Sequence, residues 1–359
     1  MPNTDWMAPF TDRWDLTLKT ITFPASHDAG LHEGAGGFKS MGMIKAKDST
    51  ICQFGNIESQ LNAGSRAFDL RIRANKSGEL RTYHSESVAD LLGQGGWGQD
   101  ANSIFEQVDA FLQVHTGEIV ILRISHTKEA DGAHIAAKTK IAKARRYCSL
   151  TAKNLAVVSL CDLRGKALLI FDEKALATPD PANGLHRYAK YADNFNGNGL
   201  AICGKYAGLM KGTGKDSQKM REVAQTALES GNEHGEEHRK GQKPSHIFMV
   251  YWQIAWNVKH KSTQGNDERN KNLTRLDDNR GTHYNLDYLL NVHRGMPDMY
   301  HVTYDFGKKK VVNTKVSAEK RLLFRPNWIN LDFVDDAVCA KVIEFNEELL
   351  RPRPVRLGG

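Results

Sequence analysis

The stretch EIVILRISH, residues 118–126, decides the fold. Between its polar ends it is a nearly continuous apolar run, without the alternation of a strand that keeps one face wet. A strand covered on both faces belongs to a parallel sheet wrapped by helices, because parallel strands need crossover connections. The same pattern recurs along the chain. KALLIFDE (166–173), HIFMVYWQIAW (246–256) and RPNWINLDFV (325–334) are further buried runs. TLKTITFPAS (17–26), AFDLRIRA (67–74), ELRTYHS (79–85) and MYHVTYDF (299–306) complete a set of roughly eight predicted strands.

Helical spacing fills the intervals. NIESQLNAG (56–64) reads as a short helix ended by Gly64, a favourable C-cap residue. SIFEQVDAFLQVH (103–115) carries Ser103 and Glu106 as a capping box. Further helices are expected near 133–147, 216–230 and 283–293, and after the last strand to about Leu350. No repeat and no long linker divides the chain, which predicts a single α/β domain over residues 1–359, with 1–16 as an N-terminal extension and 351–359 as a C-terminal tail. The expected architecture is a TIM-like (β/α) barrel of irregular form. No GxGxxG follows the first strand, which argues against an open nucleotide-binding sheet.

Composition bounds the rest. With 40% hydrophobic and 25% charged residues, the chain has enough apolar side chains for a core. No window approaches the length of a transmembrane helix. The opening MPNTDWMAPFTDRWD lacks the sustained apolar centre of a signal peptide, so the expected location is the cytoplasm, or outside the cell by a route without a classical signal. Cys52, Cys148, Cys161, Cys203 and Cys339 show no CxxC spacing, which speaks against a metal cluster and a disulfide framework. No cofactor and no metal are expected. The net charge of +7 suits an acidic partner, such as a phospholipid surface touched peripherally. Local basic runs, KARR (143–146) and GKKK (307–310), read as solvated faces, so no nucleic-acid partner is expected and the chain is taken as a monomer.

Chemistry-bearing residues recur where the strands end. FPASHDAG (23–30) sets His27 beside Asp28; Asp69 and Arg71 are two apart on one strand and share a face. His84, Ser125, His126, Asp172 and Asp332 close other strands. In a barrel these ends converge on the face that holds the active site. Arg71 at such a mouth needs an anion, a carboxylate or a phosphate. Two histidines, an arginine and spare carboxylates suit phosphodiester cleavage. One imidazole removes a proton from an attacking hydroxyl, the other protonates the leaving oxygen, and the guanidinium meets the charge on phosphorus.

These motifs, in order, resemble the blocks of the X-region of phosphatidylinositol-specific phospholipases C. FPASHDAG resembles the opening Pro-Gly-Thr-His-Asp-Ser, SQLNAGSRAFDLRI (59–72) the block ending Phe-Asp-Ile-Arg, and TYHSE (82–86) the strand with the second histidine. HTGEIVILRISH (115–126) is similar to the His-Pro-x-Glu turn and its strand, and PNWINLDFV (326–334) to a late block with an aspartate. The resemblance implies His27 as general base for an inositol 2-hydroxyl with Asp332 as its partner, and His84 as general acid supported by Asp28. It implies Arg71 on the phosphate with Asp69 holding it, and a cyclic phosphodiester as first product. Eukaryotic relatives hold calcium with an acidic residue where Arg71 stands, so the resemblance points to the bacterial, metal-independent branch.

The specificity positions depart from the family. The inositol-binding arginine falls near Phe171, where Asp172 follows; a lysine is replaced by Ser125 or His126; an inositol-contacting aspartate becomes Gly204. Tyr206 matches the tyrosine that stacks on the sugar. An inositol phospholipid is the expected substrate, with a modified headgroup open. Asp305, in VTYDF, is a weaker rival to Asp332 as partner of His27. Trp97, in the glycine-rich LLGQGGWGQ (91–99), is the candidate membrane contact, with WMAPF at 6–10 a weaker one. Two other readings stay open: a metal-dependent glycerophosphodiester or sphingolipid phosphodiesterase on a related barrel, and a non-catalytic lipid-binding barrel.

Overall fold

The computed structural model describes residues 3–35, 38–39, 50–84, 95–127, 134–135, 147, 154–172, 174–190, 199–204, 226, 229–231, 233, 246–252, 286, 290, 300–305, 310–315 and 325–350. The first strands are β1 (Phe23–Ser26), β2 (Phe38–Lys39), β3 (Ala67–Ala74), β4 (Leu80–His84), β5 (Gly95–Asp100) and β6 (Ile119–Ser125). They are followed by β7 (Lys166–Phe171), β8 (Leu185–Lys190), β9 (Gly199–Cys203), β10 (His246–Trp252), β11 (Tyr300–Asp305), β12 (Lys310–Lys315) and β13 (Trp328–Leu331). The helices used below are α1 (Ala8–Thr11), α2 (Ile57–Ala63), α3 (Ala101–Val114), α4 (Leu160–Leu163) and α5 (Asp336–Glu347).

β1, β3, β6, β7, β8, β9, β10 and β13 form a closed barrel whose pairings are all parallel, with β1 hydrogen-bonded to both β13 and β3. The TIM-like α/β barrel is therefore present, but not with the expected strands. ELRTYHS supplies β4, which runs antiparallel to the outer end of β3 and lies outside the barrel. MYHVTYDF supplies β11, which pairs with β12 in a separate antiparallel sheet. Their places are taken by β8 (LHRYAK), too mixed in character to stand out as a buried run, and β9 (GLAIC), apolar but only five residues long. The first strand also begins later than its apolar pattern suggests, at Phe23.

Local signals explain most boundaries. Asn56 caps α2 by accepting the Ser59 N–H at 3.0 Å, and Gly64 ends it in the left-handed region, φ 111°. α3 starts earlier than the expected capping box: Asp100, not Ser103, is the cap, and its carboxylate accepts the Ser103 N–H at 3.0 Å. The predicted helices at 133–147, 216–230 and 283–293 lie almost wholly outside the described residues. Outward-facing Leu70, Leu122 and Leu169 are packed with Leu61 of α2 and Ile104 and Val108 of α3, all fully buried. Each such side chain contributes about 1.5–3 kcal/mol relative to exposure. Asn327, in the Pro-Asn dipeptide before β13, accepts the Phe248 N–H at 2.9 Å and donates to Lys19 O at 2.6 Å, tying β10 and β13 to the first loop.

The N-terminal segment is not an appendage. Trp6, Met7 and Phe10 have no exposed surface and join the interior cluster with Phe23, Val342 and Phe345. WMAPF is thus core, which removes it as a membrane contact. Trp6 Nε1 donates to Gly64 O at 3.0 Å, and the Met7 N–H donates to Glu118 Oε1 at 2.9 Å. Glu118 Oε2 accepts from Arg66 Nε at 2.6 Å, with both side chains wholly buried. The remaining guanidinium N–H groups of Arg66 donate to the carbonyls of Leu61, Ser65, Asn3 and Thr4. This pair closes the N-terminal end of the barrel, the end associated with stability.

Burial opposes both charges, raising the pKa of Glu118 and lowering that of Arg66 against their mutual attraction. The pair is sensitive for that reason: Glu118→Gln, which keeps the shape and strands the guanidinium, is expected to cost about 3–5 kcal/mol in chemical denaturation. A loss under about 1 kcal/mol would mean the pair behaves like a solvent-exposed bridge.

Candidate active site

The C-terminal mouth of the barrel gathers five of the residues singled out from the sequence. His27 follows β1, and its backbone N–H donates to Leu331 O at 2.9 Å, which fixes it against the end of β13. His27 Nδ1 lies 2.7 Å from Asp332 Oδ1. Asp28 Oδ2 lies 2.6 Å from His84 Nδ1 and 3.6 Å from His27 Nε2. Its other oxygen forms an ion pair with Arg71 Nε at 2.8 Å, without hydrogen-bond alignment. The Arg71 guanidinium reaches both rings, with Nη2 3.4 Å from His27 Nε2 and Nη1 3.1 Å from His84 Nδ1.

These contacts assign the ring protons. A nitrogen held 2.6–2.7 Å from a carboxylate oxygen donates to it, so Nδ1 carries the proton in both histidines. Nε2 is then the reactive atom of each ring. The Arg71 approach to His84 Nδ1 is a contact between a cation and an already donating nitrogen, not a second hydrogen bond. His27 is buried, whereas the side chains of Arg71 and His84 keep 22% and 20% of their surface exposed at the mouth.

Burial opposes protonation of His27, but the carboxylates of Asp28 and Asp332 outweigh it and hold the ring above its ordinary pKa. Burial alone would also raise Asp28, yet Arg71, His27 and His84 hold it well below the usual carboxylate range. Asp332 is pushed up by burial, with His27 opposing the shift.

Strand geometry explains the convergence. β3 pairs with β6 as far as Arg71 and continues beyond the barrel; β4 then folds back antiparallel on that extension, with Ile72 opposite Thr82. The return carries His84 to Arg71 from outside the barrel. Close packing fixes the hairpin on the turn that bears Asp28: a Cβ on Gly30 would fall 2.3 Å from Thr82 Oγ1, and one on Gly98 2.3 Å from Gly30 O. Gln99 N–H donates to Gly30 O at 2.8 Å across the same contact. Asp28 (φ 41°), His126 (φ 55°) and Phe333 (φ 53°) adopt the left-handed region just past β1, β6 and β13. Such backbone costs about 1–3 kcal/mol per residue and tends to cluster at working sites.

Other sequence-predicted residues fall elsewhere. Asp69 does not hold Arg71 through an ion pair; its carboxylate faces Arg123 at 3.6 Å, and Asp28 takes the role at Arg71. Ser125 is buried, 2.9 Å from His126 Nδ1. Asp172 accepts the backbone N–H groups of Ala175 (2.6 Å) and His126 (3.3 Å), so its carboxylate shapes the loop after β7. Tyr206 lies outside the described residues. Asp305 ends β11, in the sheet separate from the barrel. Trp97, on β5, is half-buried against Tyr83, with ring centroids 4.6 Å apart.

Sequence reasoning passed over two residues that shape the mouth. Arg123, the lone charge inside the apolar run of EIVILRISH, is buried in the barrel beneath Arg71, with its guanidinium over the Tyr188 ring at 5.2 Å. A single arginine on the inward face of an otherwise apolar strand is the signal that could have exposed it. Gln53 is the other. Its Nε2 donates to the carbonyls of His27 (2.8 Å) and Leu331 (3.1 Å), and its Oε1 accepts the Val334 N–H at 3.1 Å, clamping β1 to β13. Nothing in its sequence neighbourhood marks it.

The closed parallel barrel is the fold of the bacterial phosphatidylinositol-specific phospholipases C. The enzyme from Listeria monocytogenes aligns over 96% of this chain and 99% of its own, with a TM-score of 0.54 and 15% identity. A structure of the Staphylococcus aureus enzyme, described for modulation of its membrane binding, aligns over 96% of this chain and 97% of its own at a TM-score of 0.55 and 12% identity. No protein-family model and no curated protein matches the sequence. At these identities the likeness establishes the fold.

Proposed function

We propose that the protein is a metal-independent phospholipase C that cleaves the glycerol–phosphate ester of a phosphatidylinositol-type lipid by intramolecular transfer. The observation that carries the reading is the Arg71 guanidinium set between two imidazoles, each held through Nδ1 by its own carboxylate. His27 Nε2 takes the proton of the headgroup hydroxyl next to the phosphate, and Asp332 stabilises the imidazolium that results. The freed oxygen attacks phosphorus. Arg71 meets the charge growing on the phosphoryl oxygens, and protonated His84 gives its Nε2 proton to the departing diacylglycerol oxygen. A cyclic phosphodiester and diacylglycerol are the products, and His84 recovers its proton from solvent or from water that later opens the ring.

The metal-dependent reading needs carboxylates left open to a cation. His27, Asp28 and Asp69 do offer ligating atoms within 4.8 Å of one another, but the Arg71 guanidinium lies 2.8 Å from Asp28 and Arg123 faces Asp69. With Asp28 and Asp69 both facing guanidinium groups, that cluster lacks the open carboxylate oxygens a hard cation needs, which favours a metal-free mechanism. Released diacylglycerol should therefore appear from inositol phospholipid vesicles in excess chelator and stay at background from phosphatidylcholine. Turnover abolished by the chelator would sink this reading in favour of the metal-dependent one.

Two of the Staphylococcus aureus structures concern modulation of membrane binding, which supports a peripheral role at a lipid surface; the proposed enzyme acts there as a monomer and without nucleic acid. Among the described residues no helix is long and apolar enough to cross a membrane. Trp97 remains the residue proposed to touch lipid, with the exposed part of its half-buried ring. Trp97→Ala should weaken vesicle binding several-fold more than cleavage of a soluble headgroup ester; equal losses on both would assign the ring to packing on Tyr83.

A further inference from the structure

Beside the mouth, the loop before α2 brings a thiol to the His27–Asp332 pair. Cys52 Sγ, a ring nitrogen of His27 and a carboxylate oxygen of Asp332 lie within 4.8 Å of one another. The three residues are 4%, 5% and 4% exposed, so the cluster is enclosed but open at one edge. Its geometry is built, not incidental. The Cys52 N–H donates to Leu31 O at 2.9 Å, and Cys52 O accepts the Phe333 N–H at 2.7 Å, which sets the thiol next to the residue that follows Asp332. The adjacent Gln53 ties the same segment to His27 O and Leu331 O.

We propose that His27, Cys52 and Asp332 form an inhibitory site for a borderline-soft divalent cation, zinc being the best match. Thiolate, imidazole and carboxylate are the ligand types zinc takes, usually as three protein ligands with water in a fourth position. Calcium and magnesium are excluded by the sulfur, since both prefer all-oxygen shells. On binding, the Cys52 thiol releases its proton to solvent, His27 gives up its proton at Nδ1 and takes one at Nε2, and the metal accepts lone pairs from sulfur, Nδ1 and Asp332. A second-shell partner stands nearby: Asp28 Oδ2 is 3.6 Å from His27 Nε2, longer than a hydrogen bond, and a small approach would let a ligating His27 donate its other N–H to that carboxylate.

The consequence for turnover rests on the phosphodiesterase reading; the binding does not. An imidazole ligating through Nδ1 carries its proton on Nε2 instead, so it has no lone pair for the attacking hydroxyl, and Asp332 is drawn away to the metal. The cation is therefore an off-switch, not a cofactor.

Cobalt(II) serves as a spectroscopic stand-in for zinc in the full chain, treated first with chelator and then desalted. One equivalent should produce the near-ultraviolet charge-transfer absorption of a cobalt–thiolate bond, and zinc(II) should abolish it. Cys52→Ser should lose that absorption while keeping its chelator-treated turnover, and its half-inhibiting zinc concentration should rise at least tenfold. Asp332→Asn provides a second variant in case Cys52→Ser fails to fold, and should weaken cobalt binding by about tenfold or more. A cobalt titration of the wild-type chain without the thiolate band, or a band that persists in Cys52→Ala and Asp332→Asn alike, would overturn the site. A normal cobalt signal with no turnover of any phospholipid would leave the site standing and remove the enzymatic reading instead.

Discussion

His27→Ala is expected to lower turnover of phosphatidylinositol by about 10²–10⁴-fold, the usual contribution of a positioned acid or base, with little change in KM. His84→Ala should fall in the same range. The two losses should differ in substrate dependence. A substrate whose leaving group is a weakly basic phenolate needs no proton on departure, so it should recover much of the His84→Ala loss and little of the His27→Ala loss. Kinetics of both variants on the lipid and on such an ester check the assignment, with circular dichroism to establish that the barrel is intact. Near-normal rates in either variant would remove that histidine from the mechanism.

The second large effect is expected at Asp28. One carboxylate meets Arg71 at 2.8 Å and His84 at 2.6 Å and lies 3.6 Å from His27, so its charge serves the acid, the base and the phosphate clamp together. Asp28→Asn keeps the size and removes the charge. The neutral amide no longer favours protonated His84 or fixes its tautomer, and turnover should drop by about 10²-fold or more. Residues acting as a unit are non-additive, so adding Asp28→Asn to His84→Ala should cost much less than it does alone. Full additivity of the two would mean that Asp28 works through some other partner, with Arg71 the first to examine.

Much of this was legible in the sequence, for physical reasons that differ from element to element. EIVILRISH and KALLIFDE were readable as barrel strands because burial on both faces demands unbroken apolar runs, and β6 and β7 pair in parallel as that predicts. LHRYAK and GLAIC were not, since the first mixes apolar with basic residues and the second is only five residues long, and only the closure of the barrel gives them their place. ELRTYHS was recognised as a strand but assigned to the wrong layer. The turn-rich tetrad Asn75–Gly78 was legible between the two strands and is where the chain turns back; being too short for a crossover, it puts β4 antiparallel to β3 and outside the barrel.

The candidate site followed the same division. His27, Asp28, Arg71, His84 and Asp332 were found because ionisable residues at strand ends converge in any barrel. Their pairing was partly misjudged at Asp69. Its two-residue spacing from Arg71 puts both on one face, but successive inward layers of a barrel are filled from neighbouring strands. Asp69 therefore meets Arg123, its register partner on β6, while Arg71, one layer nearer the mouth, meets Asp28. Cys52 and Gln53 were invisible for a related reason. They act through long-range contacts to Leu31, Leu331, Phe333 and Val334, which no local window contains.

Phosphorus-31 NMR of the products, recorded as an inositol phospholipid is consumed in excess chelator, tests the central claim most directly. Two histidines acting across a guanidinium-bound phosphate predict that the downfield resonance of a five-membered cyclic phosphodiester appears first and that any phosphomonoester follows later. A phosphomonoester formed from the outset without a cyclic precursor, or no product until a divalent cation is returned, would contradict it.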